Sequence, residues 1–240
     1  MSQSAALPRT IRPERRVLRD EVYDALLEML VDGHFGPGET LGIDPVSAQL
    51  GVSPTPVREA LVQLESTGLV TRTALRGYRV APPMSREVME QLFDARLLLE
   101  VGAARHAVPN RERLAPELRR VLEVQRGHAE ALARVTDLDQ DAPVRDLSAY
   151  LAADRAFHDA IFRATDNTFF VEMARHISIH GQRLRQFVEH QHIDAEVAIA
   201  EHARVLEAME SGDTEAVASA MHAHILGVRE RTLSDAPATT

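Results

Sequence analysis

Four side chains in the second half of this chain join metal-ligating chemistry to a spacing that turns them inward. Asp154 and His158 are one helical turn apart, so they share a helix face. That face continues through Leu147, Leu151 and Ile161. His202 interrupts the apolar series Ile199, Leu206 and Met209, and His224 interrupts Val217, Met221 and Val228. A carboxylate and three imidazoles buried without partners would be destabilising, by roughly several kcal/mol for each charged group. One divalent cation would satisfy all four. Three imidazoles and a carboxylate suit Zn²⁺, Ni²⁺ or a similar borderline ion, with positions left open for water or a ligand. His222 lies off the stripe and is expected to face solvent. His176 and His180 form another i,i+4 pair, bordering a core face of Ile177, Leu184 and Phe187, and either could line the cavity or replace a ligand.

A second set, near the other end, could read DNA. Arg58 can make a bidentate contact to guanine or grip a phosphate. Thr55, with the first amides of its helix and Ser53 at the cap, can hold a phosphate, and Val57 lies in the same first turn. Arg76-Gly77 has the character of a hairpin tip, where glycine allows close backbone approach and arginine enters a minor groove.

The elements that must position these groups follow from periodicity and breakers. Val22, Leu26, Met29 and Leu30 predict a helix over 17–31, ended by Gly33, Gly36, Pro37 and Gly38. A short helix is expected over Pro45–Leu50, a break at Gly51, and a helix over Thr55–Thr67 with Val57, Leu61 and Leu64 on one face. The runs 69–72 and 78–80 flank Arg76-Gly77 as a β-hairpin. Helix, helix and hairpin in this order make a winged helix-turn-helix, whose second helix enters the major groove. Pro82-Pro83 marks a boundary. Beyond it only helical periodicity appears, over about 85–107, 111–135, 146–165, 168–190, 194–210 and 213–231. The expected fold class is therefore mainly α. It comprises an arm at 1–16, a winged domain at 17–82, an all-helical bundle at 83–232 and a disordered tail at 233–240.

Composition sets bounds on function. A net charge of −9 argues at first against nucleic acid, but most of the excess acid lies after residue 82. Residues 1–19 hold five arginines and one glutamate, and residues 51–80 hold four arginines and two glutamates. Cysteine is absent, which excludes disulfides, thiolate metal sites and cysteine nucleophiles. No apolar run approaches the roughly 20 residues of a membrane helix, and the first residues carry no apolar signal segment, so a cytoplasmic protein is expected.

The segment GVSPTPVREALVQLESTGLV at 51–70, with the later RGYRV, resembles the signature of the GntR family of bacterial regulators. Pro54 departs from it, standing where many members carry a DNA-contacting arginine, and Asp44 lies where a basic contact sometimes occurs. Both imply weaker phosphate attraction or an altered base preference, for which the 1–16 arm could compensate. In the second half, ARLLLE at 95–100, DRAFHDAIFRATDN at 154–167, EHARVLEAMESGD at 201–213 and AMHAHI at 220–225 are similar to the FadR-like subfamily with its FCD ligand-binding domain.

The resemblance implies a homodimer on a pseudo-palindromic operator. It implies a metal held by Asp154, His158, His202 and His224, and a small organic acid that modulates DNA binding, by default relieving repression. It also favours Arg96 as a carboxylate clamp, where the residues alone equally suggest an ion pair with Glu100. Asn167 could donate to the same ligand or end a helix. Two other readings are a metal-dependent hydrolase on the same Asp/His set and a metal-free regulator responding to an acyl thioester. No hydrolase, P-loop or dinucleotide fingerprint supports an enzyme.

Overall fold

The computed structural model describes residues 13–31, 34–73, 77–82, 84–134, 142–186 and 195–235, and the chain divides into two compact units, 1–82 and 83–240.

In the first unit, α1 (Pro13–Val31) precedes β1 (Thr40–Leu41), α2 (Ile43–Leu50), α3 (Pro54–Ser66), β2 (Val70–Thr73) and β3 (Gly77–Val80). Leu26 and Leu30 of α1 and Val57, Leu61 and Leu64 of α3 are buried together with Leu41, Val70 and Val80 of the sheet. Gly51 ends α2 in the left-handed region (φ 66°), a conformation that carries little penalty only for glycine, and its N–H donates back to α2 carbonyls.

Two features differ from the sequence reading. The helix begins at Pro13, so residues 13–16 belong to α1 and not to an arm; residues 1–12 lie outside the described residues. The hairpin is also joined by a third strand, in the order β1-β3-β2, all antiparallel, with Thr40 opposite Arg79 and Leu41 opposite Tyr78. A strand of two residues carries no periodicity to detect. Its pairing is extended by Gly38 N–H donating to Val80 O and Val80 N–H donating to Glu39 O.

The second unit holds α4 (Arg86–Ala107), a 3₁₀ turn (Val108–Asn110), α5 (Arg111–Arg134), α6 (Ala142–Ala164), α7 (Thr168–Gln186), α8 (Ala195–Ser211) and α9 (Thr214–Asp235). Ser85 caps α4 by accepting from Val88 N–H. Asp213 caps α9 by accepting from the Glu215 and Ala216 amides. The core is drawn from several helices, with Phe93, Leu118, Phe157, Met209 and Met221 at its centre. The helix expected to stop near 231 runs on to Asp235, so the tail reading fails for 233–235. Leu233 is buried, and its carbonyl accepts from Arg86 at the start of α4 (2.8 Å).

Phe93 is fully buried in this core. Phe93→Ala is expected to destabilise the helical unit by about 3–5 kcal/mol, seen as a lower urea midpoint at unchanged slope.

Candidate functional site

Three imidazoles from three helices meet inside the helical unit. His158 (α6), His202 (α8) and His224 (α9) are all buried. Their Nε2 atoms face one another, His158 to His202 at 3.3 Å and His158 to His224 at 3.4 Å. The opposite nitrogen of each ring meets an oxygen. Gln125 Oε1 accepts from His202 Nδ1–H (2.9 Å) and Glu201 Oε2 from His224 Nδ1–H (2.9 Å). Glu100 Oε2 lies 2.6 Å from His158 Nδ1, though off the line of a good hydrogen bond. These contacts assign the proton of each ring to Nδ1 and leave three Nε2 lone pairs aimed at a shared point. Phe157 stacks on His202 at 4.1 Å and holds its ring plane.

The spacing fits a metal. Nitrogens about 2.0–2.1 Å from a tetrahedral zinc lie roughly 3.3–3.4 Å apart. Burial lowers the His224 pKa, and the hydrogen bond to Glu201 only partly offsets that, so the ring is neutral at neutral pH and its lone pair is available. Asp154 stands beside the three rings, its Oδ1 3.8 Å from His202 Nε2 and accepting from Gln125 Nε2 (3.3 Å). His222 is exposed, as its position off the stripe required. His176 is exposed and His180 half-buried, and neither belongs to the three-ring cluster.

The carboxylates around the rings are pinned in turn. Burial alone would raise the pKa of Glu201, but hydrogen bonds from His224 and Arg231 outweigh it and hold the group at about 2. Arg231 grips both Glu201 oxygens at 2.9 Å. Gly227 permits this approach, because a Cβ there would stand 2.6 Å from Glu201 Oε1. Burial likewise works against Glu100, whereas Arg96 and His158 hold its carboxyl below the ordinary carboxylate range. Arg96 is buried, its Nε donating to Glu100 Oε1 (2.7 Å). The ion pair and the pocket position are thus both present, since Arg96 also lines a cavity of about 50 Å³ shared with Asp154, Arg155, His158 and Asp159. Burial raises the Asp159 pKa, opposed by Arg155, Arg163 and His158.

Asn167 is a correction. It is exposed, and its Oδ1 accepts from Phe169 N–H (3.0 Å), capping the first turn of α7 away from the cavity lining. Of its two sequence readings, the helix-end turn prevails. Gln125, Glu100, Glu201 and Arg231 complete the network and were not assigned to it from sequence. Gln125 was detectable, being a wholly buried amide in the stripe of Leu118, Val121 and Leu122.

In the first unit, Ser53, Thr55 and Arg58 are exposed at the start of α3, whereas Val57 is fully buried and serves the core instead of base edges. Ser53 occupies the cap position in extended backbone, yet its side chain makes no capping bond. Pro54 and Pro56 explain this: they remove two of the helix's four unpaired amides, including the usual capping partner. The phosphate-holding amides expected there are therefore reduced. Gly77 is exposed at φ 80°, with nothing among the described residues near where a Cβ would stand, so backbone conformation and not close approach favours glycine. Arg76 lies outside the described residues.

A winged helix-turn-helix paired with a helical bundle defines a DNA-binding regulator. Residues 18–80 match the bacterial regulatory proteins of the gntR family, and residues 91–227 match the FCD domain. The chain belongs to the GntR family, in the group that carries an FCD domain. It is 27% identical over 89% of its length to a "probable D-xylose utilization operon transcriptional repressor" of Paenarthrobacter nicotinovorans, covering 88% of that protein. It is 26% identical over 84% of its length to the transcriptional regulator LutR of Bacillus subtilis, covering 95% of it. Its fold matches Escherichia coli McbR/YncC with a TM-score of 0.72 at 23% identity, over 90% of this chain and 97% of that one. The family consists of transcriptional regulators and not enzymes, which sets the hydrolase alternative aside. Among the described residues no helix is long and apolar enough to cross a membrane.

A Gly227→Ala substitution tests the pinning of Glu201. In an ordinary helix interior it would stabilise by about 1 kcal/mol. Here it is expected to lower Tm and to displace Glu201 from His224, read as a changed His224 ring signal by NMR; a raised Tm with an unchanged signal would show that the methyl is accommodated without displacing Glu201.

Proposed function

We propose that this protein is a cytoplasmic, metabolite-responsive repressor. Its 17–82 segment binds operator DNA as a homodimer, and its helical segment holds a divalent metal and binds a small organic acid. One observation carries the sensing half: three buried Nε2 lone pairs face one another while every Nδ1 faces an oxygen. His158, His202 and His224 would hold the ion, with Asp154 beside them as the carboxylate. When bound, a Zn²⁺ or Ni²⁺ ion would supply a Lewis-acidic centre with positions open to a carboxylate.

The chain's own residues set what the cavity accepts. Two arginines face three carboxylates there: Arg96 and Arg155 against Glu100, Asp154 and Asp159. Glu100 is committed to Arg96 and His158. A divalent charge in the neighbouring cluster would shift the local balance from −1 to +1, which favours an anion. Arg96 would orient it through donors not given to Glu100. Effector binding would then favour one arrangement of the paired DNA-reading units over another. On the DNA side, Thr55 and Arg58 would make base or phosphate contacts, with Ser53 alongside and Arg76-Gly77 forming the wing.

Two substitutions separate the halves. Arg58→Ala is expected to abolish the operator gel shift while elemental analysis still finds about one metal per chain. His202→Ala is expected to lose the metal and the effector response while the operator shift persists. Full metal content in His202→Ala would remove the three-histidine assignment, and a persistent shift in Arg58→Ala would remove that arginine from the DNA contacts.

Acid should release the metal. Its ligands must be neutral imidazoles, and burial lowers the His224 pKa, so retention is expected to persist through the ordinary imidazole value of about 6.5 and to fall only at lower pH. Equilibrium dialysis across that range checks it, and a flat profile down to about pH 4, where carboxylates begin to protonate, would favour oxygen ligands instead.

A further inference from the structure

The cavity beside the histidines has two unlike walls. The wall from α4 and α6 is polar, with Arg96, Asp154, Arg155 and His158. Two of its buried atoms, Glu100 Oε2 and His158 Nδ1, lack an aligned hydrogen-bond partner. The opposite wall comes from α7, where Ala174, Ser178 and Gly181 recur at helical spacing with Ile177 beside them, and Phe162 closes the apolar side. From Ala174 to Gly181 this stripe runs about 10 Å along the helix axis.

Gly181 is the informative member. A glycine inside a helix weakens it relative to alanine, so its presence calls for a reason. Backbone conformation supplies none, because Gly181 is helical and not at positive φ. Crowding supplies none either, because among the described residues a Cβ there would meet nothing within 4 Å. Gly227 is the contrast, since a Cβ there would collide with Glu201. Gly181 lines the cavity, and a larger side chain there has open space to enter.

Building on the organic-acid reading above, we propose that Ala174, Ser178 and Gly181 form the wall that selects the effector, and that the effector is a short aliphatic acid carrying at most one hydroxyl. Its anionic head meets Arg96 and Arg155, its hydrocarbon body lies along α7, and Ser178 takes the single hydroxyl. A polyhydroxylated sugar acid would strand hydroxyls against Phe162, Ala174 and Ile177, where they find no partners. A long acyl chain, extended from a head at the arginines, would outrun the roughly 10 Å of α7 that lines the cavity.

The test uses full-length, metal-loaded protein and calorimetric titration with 2-hydroxybutyrate, D-galacturonate and octanoate. It compares wild type with Gly181→Leu, the milder Gly181→Ala, and Gly127→Ala. Gly127 is an exposed glycine of α5 that likewise has nothing within 4 Å of a built Cβ, so it serves as the helix-propensity control. Wild type is expected to bind 2-hydroxybutyrate at least about tenfold tighter than either other acid. Gly181→Leu is expected to keep or raise Tm yet weaken 2-hydroxybutyrate by about tenfold or more, with Gly181→Ala in the same direction and Gly127→Ala raising Tm alone. Equal or tighter binding of D-galacturonate or octanoate overturns the proposed effector class while leaving the organic-acid reading intact. Wild-type affinity in both Gly181 variants overturns the α7 wall. Failure of all three acids to bind overturns the organic-acid reading together with this inference.

Discussion

Three lone pairs aimed at one another set the organisation of the helical unit. Each histidine gives its Nδ1 side to an oxygen, leaving Nε2 of His158 within 3.4 Å of both other Nε2 atoms. Electron-rich atoms this close, buried and unprotonated, are unfavourable unless a cation lies among them or their partners hold them there. Protonation is a poor remedy, because burial disfavours the charged ring of His224. The oxygens that orient the rings come from α4, α5 and α8, and the rings from α6, α8 and α9. The cluster therefore forms only when five helices have closed around it, and α7 supplies the facing wall of the adjoining cavity.

The same network explains several otherwise odd residues. A wholly buried glutamine is unfavourable unless both ends of its amide are used, and Gln125 uses both, accepting from His202 and donating to Asp154. Buried Glu201 is tolerable because Arg231 and His224 compensate its charge, and Gly227 leaves room for that grip. Removing one partner of such a pair leaves the other charged and buried, so these positions matter more than their distance from the lone pairs suggests.

In the DNA-reading unit the two prolines at the head of α3 have a comparable influence. They favour the helix start through their fixed φ while removing amides that would otherwise face phosphate. Under the proposed function, recognition would then rest more heavily on exposed side chains such as Arg58. The chain's overall negative charge is no obstacle, because its acid is concentrated after residue 82.

The order and type of nearly every element could be read from the chain, because apolar periodicity, glycine and proline are local signals. The inward turn of Asp154, His158, His202 and His224 was equally legible, each one replacing an apolar residue in a helical stripe. Strand β1 was not legible, since two residues have no period and exist as a strand only through pairing with β3. Nor could the sequence choose between two roles for Asn167 or for Arg96: a helix cap and a ligand donor look alike, as do an ion pair and a pocket cation. Tertiary packing decided both, turning Asn167 to its own helix and burying Arg96 against Glu100 at the cavity edge. Sequence fixes which face of its own helix a side chain occupies. The rotation and register of one helix against another come from core packing, and these alone brought Gln125, Glu100 and Glu201 to the back of the three rings.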